Sequence, residues 1–206
     1  MDTGRVEAFS DGVFAIAITL LVLGLAVPPA GREHGDLGRL LARAWPSYVA
    51  YFVSFLIIGI IWVNHHAMFH LIARADRPLL FINLALLAIV AIIPFPTGLL
   101  AAYIRHGPVD AHLAAAIYSA TMLAMSIAFS ALWLWATRPG SGLLHERLDP
   151  TVARAAVRRF GAGNLVYAAL IGVAFLSAPV TLAFHFLVAL YYVFDQLSVG
   201  GDPVPA

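Results

Sequence analysis

The sequence predicts an all-α membrane protein with six transmembrane helices. Of the 206 residues, 62% are hydrophobic and only 11% are charged, whereas soluble domains carry about 25% charged residues. The apolar residues form long runs separated by short polar or proline-containing segments, and a membrane-spanning helix needs about 20 predominantly apolar residues. Such a chain cannot cover a soluble surface with polar groups, so we expect a single transmembrane domain over residues 1–206.

Short breaks divide the chain into these six spans. Pro28 and Pro29 end the first span, because proline cannot continue a helix. The charged turn 74–78 separates the second span from the third, and Pro94 and Pro96 predict a kink within the third. The expected spans cover approximately residues 5–27, 46–72, 79–104, 111–137, 152–177 and 180–194.

The arginines predict the orientation of the chain. An even number of spans places both termini on one side, and cytoplasmic segments of membrane proteins are enriched in basic residues. With the N-terminus inside, the inner segments would carry Arg5, Arg74, Arg77, Arg138, Arg147, Arg154, Arg158 and Arg159, and the outer segments Arg32, Arg39, Arg43 and Arg105. We therefore expect a multi-pass protein of the cell membrane with both termini cytoplasmic.

Several function classes lack their usual signals. The chain has no cysteine, no phosphate-binding glycine loop and no Gly-x-Ser-x-Gly elbow. No acidic residue lies in the middle of a predicted span, so the chain lacks the carboxylates on which proton relays in the membrane usually depend. No basic run suggests nucleic acid binding. We therefore expect neither catalysis nor a bound cofactor.

The start of the first helix carries an unusual group of polar residues. Arg5, Glu7, Ser10 and Asp11 run directly into the apolar segment, without an intervening loop. Charges near lipid need water or partners, and the other helices or other subunits are the expected source of those partners.

An apolar stripe follows on the same helix. Ile16, Leu20 and Leu23 have the spacing i, i+4, i+7, which places them on one face, with Thr19 beside Leu20. Most such stripes face lipid or pack against a neighbouring helix. The other interpretation is a pore lining, in which apolar rings constrict the pathway, and the residues alone do not choose between the two.

The second span carries a polar cluster at its end. Asn64, His65, His66 and His70 lie there, and His66 and His70 have the i, i+4 spacing of metal ligands. Because no HExxH glutamate accompanies them, hydrogen bonding to other helices is the favoured interpretation, with Ser10, Asp11 or Arg5 within expected reach of His65 or His66. Asn83 and Asn164 are likewise expected to form hydrogen bonds between helices.

The first-helix pattern Arg5-x-Glu7-Ala8-Phe9-Ser10-Asp11-Gly12-Val13-x-Ala15-Ile16-x-x-Thr19-Leu20-Leu21 resembles the signature of the transmembrane protein 175 family of potassium channels. The segment Trp62-Val63-Asn64-His65-His66 and the six spans also resemble the shorter prokaryotic members, whose subunits have a single six-helix repeat.

This resemblance implies a homotetramer in the lipid bilayer, with the first helix of each subunit lining a central pore. It implies a pore constriction at Ile16 and a hydroxyl layer at Thr19, with Leu20 and Leu23 further along. Arg5, Phe9, Ser10 and Asp11 would anchor the pore helix, with Asn64, His65 and His66 as plausible polar partners.

The expected function is passive, potassium-preferring conduction of monovalent cations without a carbonyl-type selectivity filter. Potassium is then a permeant species, and no other metal is expected. The alternative is a small secondary transporter or a membrane-embedded enzyme that depends on its histidines. The absence of acidic residues from the middle of the spans argues against both.

Overall fold

The computed structural model describes residues 3–29, 36–145 and 150–199, and these residues are almost entirely helical. The helices are α1 (Gly4–Leu20), α2 (Leu37–Arg43), α3 (Trp45–Phe69), α4 (Arg77–Ile92), α5 (Pro94–Tyr103), α6 (Pro108–Ala136), α7 (Pro150–Ala174) and α8 (Ala178–Val199). Helices α3, α4, α5 and α6 have proline at their first or second position. Proline suits the start of a helix, because the backbone N–H groups there have no partner within the helix.

Four segments of the described chain are long and apolar enough to cross a membrane. They are Gly4–Gly24, Trp45–Phe69, Arg77–Tyr103 and Pro108–Ala136. Two shorter apolar helices, Gly161–Ala174 and Ala178–Val193, follow at the positions predicted for the fifth and sixth spans. The all-α membrane fold is therefore confirmed with four membrane-capable segments, while a total of six spans stays a prediction.

The third predicted span is two helices joined at Ile93. Pro94 begins α5 directly after the last turn of α4, as a proline within an apolar run predicts. The Thr97 hydroxyl donates a hydrogen bond to the Ile93 carbonyl at 2.8 Å, and this carbonyl also accepts from the Thr97 backbone N–H at 3.1 Å.

Helix α6 forms the centre of the subunit. It packs against α4, α5, α7 and α8, and its Tyr118, Met122 and Leu132 are fully buried. Helix α1 packs instead against α3 and α4 at the periphery. Its last turn tightens into a 3₁₀ helix at Leu21–Gly24, and only one side of α1 is therefore covered by its own subunit.

The turn between α3 and α4 is fastened to the loop that follows α6. Ile72 and Leu144 form an isolated antiparallel bridge, and the Arg74 guanidinium donates to the Gly142 carbonyl at 3.1 Å. These bonds hold together the ends of three helices at the side of the subunit where α1 begins.

Asp76 forms a second group of hydrogen bonds at this end of the subunit. Its carboxylate caps α4 by accepting from the Leu79 N–H at 3.0 Å, and it also accepts from the Trp135 indole and from Arg138. Partial desolvation raises the pKa of Asp76, but these three donors outweigh it, and the pKa lies below its ordinary value. The Arg138 guanidinium also lies 3.7 Å from the centre of the Trp135 ring.

Some residues of the orientation prediction lie outside the described part of the chain. Arg32 and Arg147 fall in the gaps, and the side chains of Arg154, Arg158 and Arg159 are not described.

Candidate functional site

Helix α1 has one buried face and one exposed apolar face. Val6, Ser10, Phe14 and Ala17 are buried against the subunit. The exposed apolar side chains are Phe9 at 57%, Ile16 at 62%, Leu20 at 40% and Leu23 at 76%. Since an α-helix turns by about 100° per residue, the stripe through residues 9, 16 and 23 is centred about 115° from the buried face. The stripe predicted from the sequence thus lies on the side that its own subunit leaves uncovered.

Thr19 lies on this exposed side, beside Ile16 and Leu23. Its hydroxyl donates to backbone carbonyls of its own helix, with distances of 2.9 Å to both Ala15 and Ile16. Because the hydroxyl proton is directed into the helix, the oxygen lone pairs remain available to accept or to coordinate. A hydroxyl held in this way can serve as a ligand for a cation.

A buried hydrogen-bond chain ties the start of α1 to α3 and α4. The Asn83 amide nitrogen donates to the Ser10 hydroxyl at 3.1 Å, and the Ser10 hydroxyl donates to the Val6 carbonyl at 2.8 Å. The Asn83 carbonyl oxygen lies 2.8 Å from Nε2 of His65, so Nε2 must carry the proton in this arrangement. His65 is further held by stacking on Phe69 and by an edge contact with Phe14.

Asp11 does not belong to this hydrogen-bond chain and has a different partner. Its carboxylate accepts from the Trp62 indole N–H at 2.8 Å. Trp62 belongs to α3, so this bond is a second link between α3 and the polar start of α1.

The remaining predicted site residues divide into two groups. Arg5 and Phe9 are exposed on α1 and lie outside the buried core of the subunit. Asn64 is turned away from the motif, and it lines a cavity with Ser126, Tyr167 and Tyr192. The exposed His66 hydrogen-bonds to His70 at 3.0 Å between their Nε2 atoms.

Two partners of the motif were not named as such from the sequence. Asn83 was expected to form a hydrogen bond between helices, and this is confirmed, but its partners Ser10 and His65 are distant in the chain. Nothing in the sequence marks Trp62 as the partner of Asp11, beyond its place in the segment Trp62–His66. A lone asparagine in an apolar helix signals that a partner exists, but it does not indicate which helix supplies that partner.

The fold and this site define a class of protein. The chain is an all-α membrane protein whose first helix is tied to its subunit by polar bonds on one side and presents an unpacked apolar stripe with a hydroxyl on the other. A helix of this kind is suited to a pathway through the membrane.

Comparison with known proteins identifies the family. The family model described as endosomal/lysosomal potassium channel TMEM175 matches residues 5–94. A potassium channel of Streptomyces collinus is 54% identical over 198 residues, which cover 96% of this chain and 95% of the relative. The endosomal/lysosomal proton channel TMEM175 of Gallus gallus is 36% identical over 152 residues, which cover 69% of this chain and 28% of the relative.

A solved structure gives the same result. The crystal structure of a lysosomal potassium-selective channel TMEM175 homolog from Chamaesiphon minutus matches with a TM-score of 0.85 and 39% identity, over 94% of this chain and 97% of that chain. The chain belongs to the TMEM175 family. Because the family and these relatives are channels, the prediction that the protein is not an enzyme is confirmed.

Proposed function

We propose that this protein is a potassium-preferring cation channel formed by four copies of the chain, with α1 of each copy around a central pore. The observation that carries the proposal is the exposed stripe of α1, since apolar side chains opposite a buried face require either lipid or other subunits. The potassium channel of Streptomyces collinus supports the choice of ion.

Ile16 is the proposed constriction. It is 62% exposed in the single subunit, and four such side chains meeting at an axis would exclude water and close the pathway. A small rotation of α1 would move the side chains apart and let water and ions pass.

Thr19 is the proposed selectivity position. Four hydroxyl oxygens with free lone pairs, one helical turn beyond Ile16, would replace part of the hydration shell of a cation. Leu20 and Leu23 would continue the apolar lining beyond this layer. Because no charged side chain lies on this part of the stripe, we expect a modest preference for potassium over sodium.

The polar start of α1 is the proposed anchor. Ser10 and Asp11 are bonded to α4 and α3, and these bonds would set the rotation of α1 about its axis in the closed state. The exposed Arg5 and Phe9 would complete the anchor through the neighbouring subunit.

Flux through liposomes tests the proposal. Purified protein should pass potassium faster than sodium down equal gradients, and Ile16→Asn should increase the leak because a polar ring no longer excludes water. Ile18→Asn is the matched control, since it places the same substitution on the same helix about 160° from the centre of the stripe, and it should leave the leak near the wild-type level. Absence of cation flux in the wild type, or an equal leak in both variants, would overturn the pore assignment.

The same liposomes test selectivity and the competing permeant ion. Thr19→Val keeps the side-chain shape but removes the oxygen, so it should lower the potassium-to-sodium ratio, whereas Thr121→Val on α6 should not. A pH-sensitive dye inside the vesicles distinguishes proton conduction, which the Gallus gallus relative is named for. If protons pass and potassium does not, the proton replaces potassium as the proposed permeant ion.

A further inference from the structure

A cluster of three potential metal ligands joins α1 to α3. Glu7 lies in the first turn of α1, His66 lies in the last turn of α3, and His70 directly follows α3. One ligand atom from each residue lies within 4.8 Å of the other two. The two histidines are exposed and Glu7 is partly buried, so an ion can reach the cluster from solvent.

The imidazole geometry suits a transition metal. The two Nε2 atoms are 3.0 Å apart, and the two rings are nearly perpendicular, at 85°. With metal–nitrogen bonds of about 2.0–2.1 Å, this separation corresponds to an angle of about 94° at the metal. That angle lies near the values of octahedral and distorted tetrahedral coordination. The Trp62 ring, stacked 6.2 Å from His66, limits rotation of that imidazole.

The donor set also selects the kind of ion. Two imidazoles and one carboxylate are the ligands of many zinc sites with one open position, whereas magnesium and calcium prefer oxygen ligands alone. The chain has no cysteine that would compete as a softer ligand. A Glu7 carboxylate oxygen lies within 4.8 Å of a ring nitrogen of each histidine, and coordination would draw these three atoms together around the ion.

From this geometry we infer that Glu7, His66 and His70 bind a divalent transition-metal ion of the zinc type, and that the bound ion inhibits conduction by bridging α1 to α3. The binding site stands on the geometry alone. Inhibition rests on the proposed function, because it requires α1 to line the pore and to move when the pore opens. A metal bridge holds Glu7 against α3 and thereby opposes rotation of the helix that carries Ile16.

Calorimetry with zinc chloride on tag-free, metal-stripped protein in detergent tests the site. We expect saturable binding of one zinc ion per chain, and cobalt chloride should give the visible absorption of cobalt bound to nitrogen ligands. Glu7→Gln and His70→Ala should each weaken binding at least about tenfold, since even the loss of an indirect partner of a metal ligand costs that much. His106→Ala, at an exposed histidine after α5, should bind as the wild type does.

The failures are distinguishable. No zinc binding in the wild type, or equal binding by all three variants, overturns the metal site, and retained thermal unfolding temperatures show that the variants are folded. In liposomes, zinc should inhibit potassium flux of the wild type and should not inhibit Glu7→Gln. If zinc binds and wild-type flux is unchanged, the bridge does not restrain α1. If the wild type conducts no cation, the proposed function fails while calorimetry still decides the site.

Discussion

At the scale of single residues, Asn83 is the most informative side chain. It is 2% exposed and uses both ends of its amide, accepting from His65 and donating to Ser10. An amide is well suited to this place because it can accept from one helix and donate to another at once. The rotational setting of α1 therefore depends on a residue of α4 that does not belong to the first-helix pattern.

Replacing Asn83 with alanine should destabilise the protein. The substitution removes two buried hydrogen bonds and leaves His65 and Ser10 without that partner, which costs about 1–3 kcal/mol. Thermal unfolding in detergent measures the change. Asn64→Ala, at the asparagine that lines the cavity between α3, α6, α7 and α8, is the matched control and should cost less. Equal losses in the two variants would contradict the special role of Asn83.

At the scale of elements, the ends of α4 and α6 are joined by Asp76. One carboxylate caps α4 and pairs with Arg138 at 3.0 Å, so two helices share one acidic residue. Both side chains are partly exposed, at 29% and 34%, and the ion pair itself therefore contributes little. Most of the stabilisation should come from the helix cap.

Substitution of Asp76 tests whether the helix cap contributes more stability than the ion pair. Asp76→Ala should lower the free energy of unfolding by about 1–2 kcal/mol, whereas Asp76→Asn, which keeps a capping oxygen, should cost less. Asp110→Ala, at an exposed acid in the first turn of α6, should change it by less than about 0.5 kcal/mol. Urea unfolding of the variants provides the measurement, and equal effects of the alanine and asparagine substitutions would contradict the capping role.

The same residue fixes the sign of a pH dependence. The pKa of Asp76 is lower in the folded protein than its ordinary value of 3.8, so the folded state favours the carboxylate. The contribution is fully present above pH 4 and is lost as the pH falls through the folded-state pKa. The difference in stability between wild type and Asp76→Ala should accordingly be constant near neutral pH and shrink in acid.

At the scale of the whole molecule, the arrangement of helices determines which apolar surface the subunit leaves uncovered. The core lies around α6, while α1 lies at the edge with its apolar stripe uncovered. A subunit built in this way has its proposed pathway on its surface, and only association with further copies would enclose it.

The absence of cysteine allows the orientation to be measured directly. Val109 and His145 are exposed at opposite ends of α6. If both termini are cytoplasmic, Val109→Cys should react with a membrane-impermeant maleimide on intact cells, and His145→Cys should react only after permeabilisation. The cysteine-free wild type gives the background. The reverse labelling pattern would show the opposite orientation, and labelling of both sites on intact cells would contradict a membrane-spanning α6.

The sequence by itself determined the class of fold and most element positions. Long apolar runs with few charges can be stable only in a membrane, and prolines mark helix starts and the break at Ile93 whatever their surroundings. The apolar stripe of α1 was also readable, because helical periodicity fixes which residues share a face.

Only the tertiary structure decided which polar groups meet. Residues 10, 65 and 83 lie on three different helices, and the hydrogen-bonding groups around Asp76 come from the ends of two. Each of these residues, taken alone, shows only that it needs a partner. The packing of α1 on one side also chose which of its faces remains open. Such choices depend on the relative rotation of helices, which the summed packing of all helices sets and which no local pattern in the chain specifies.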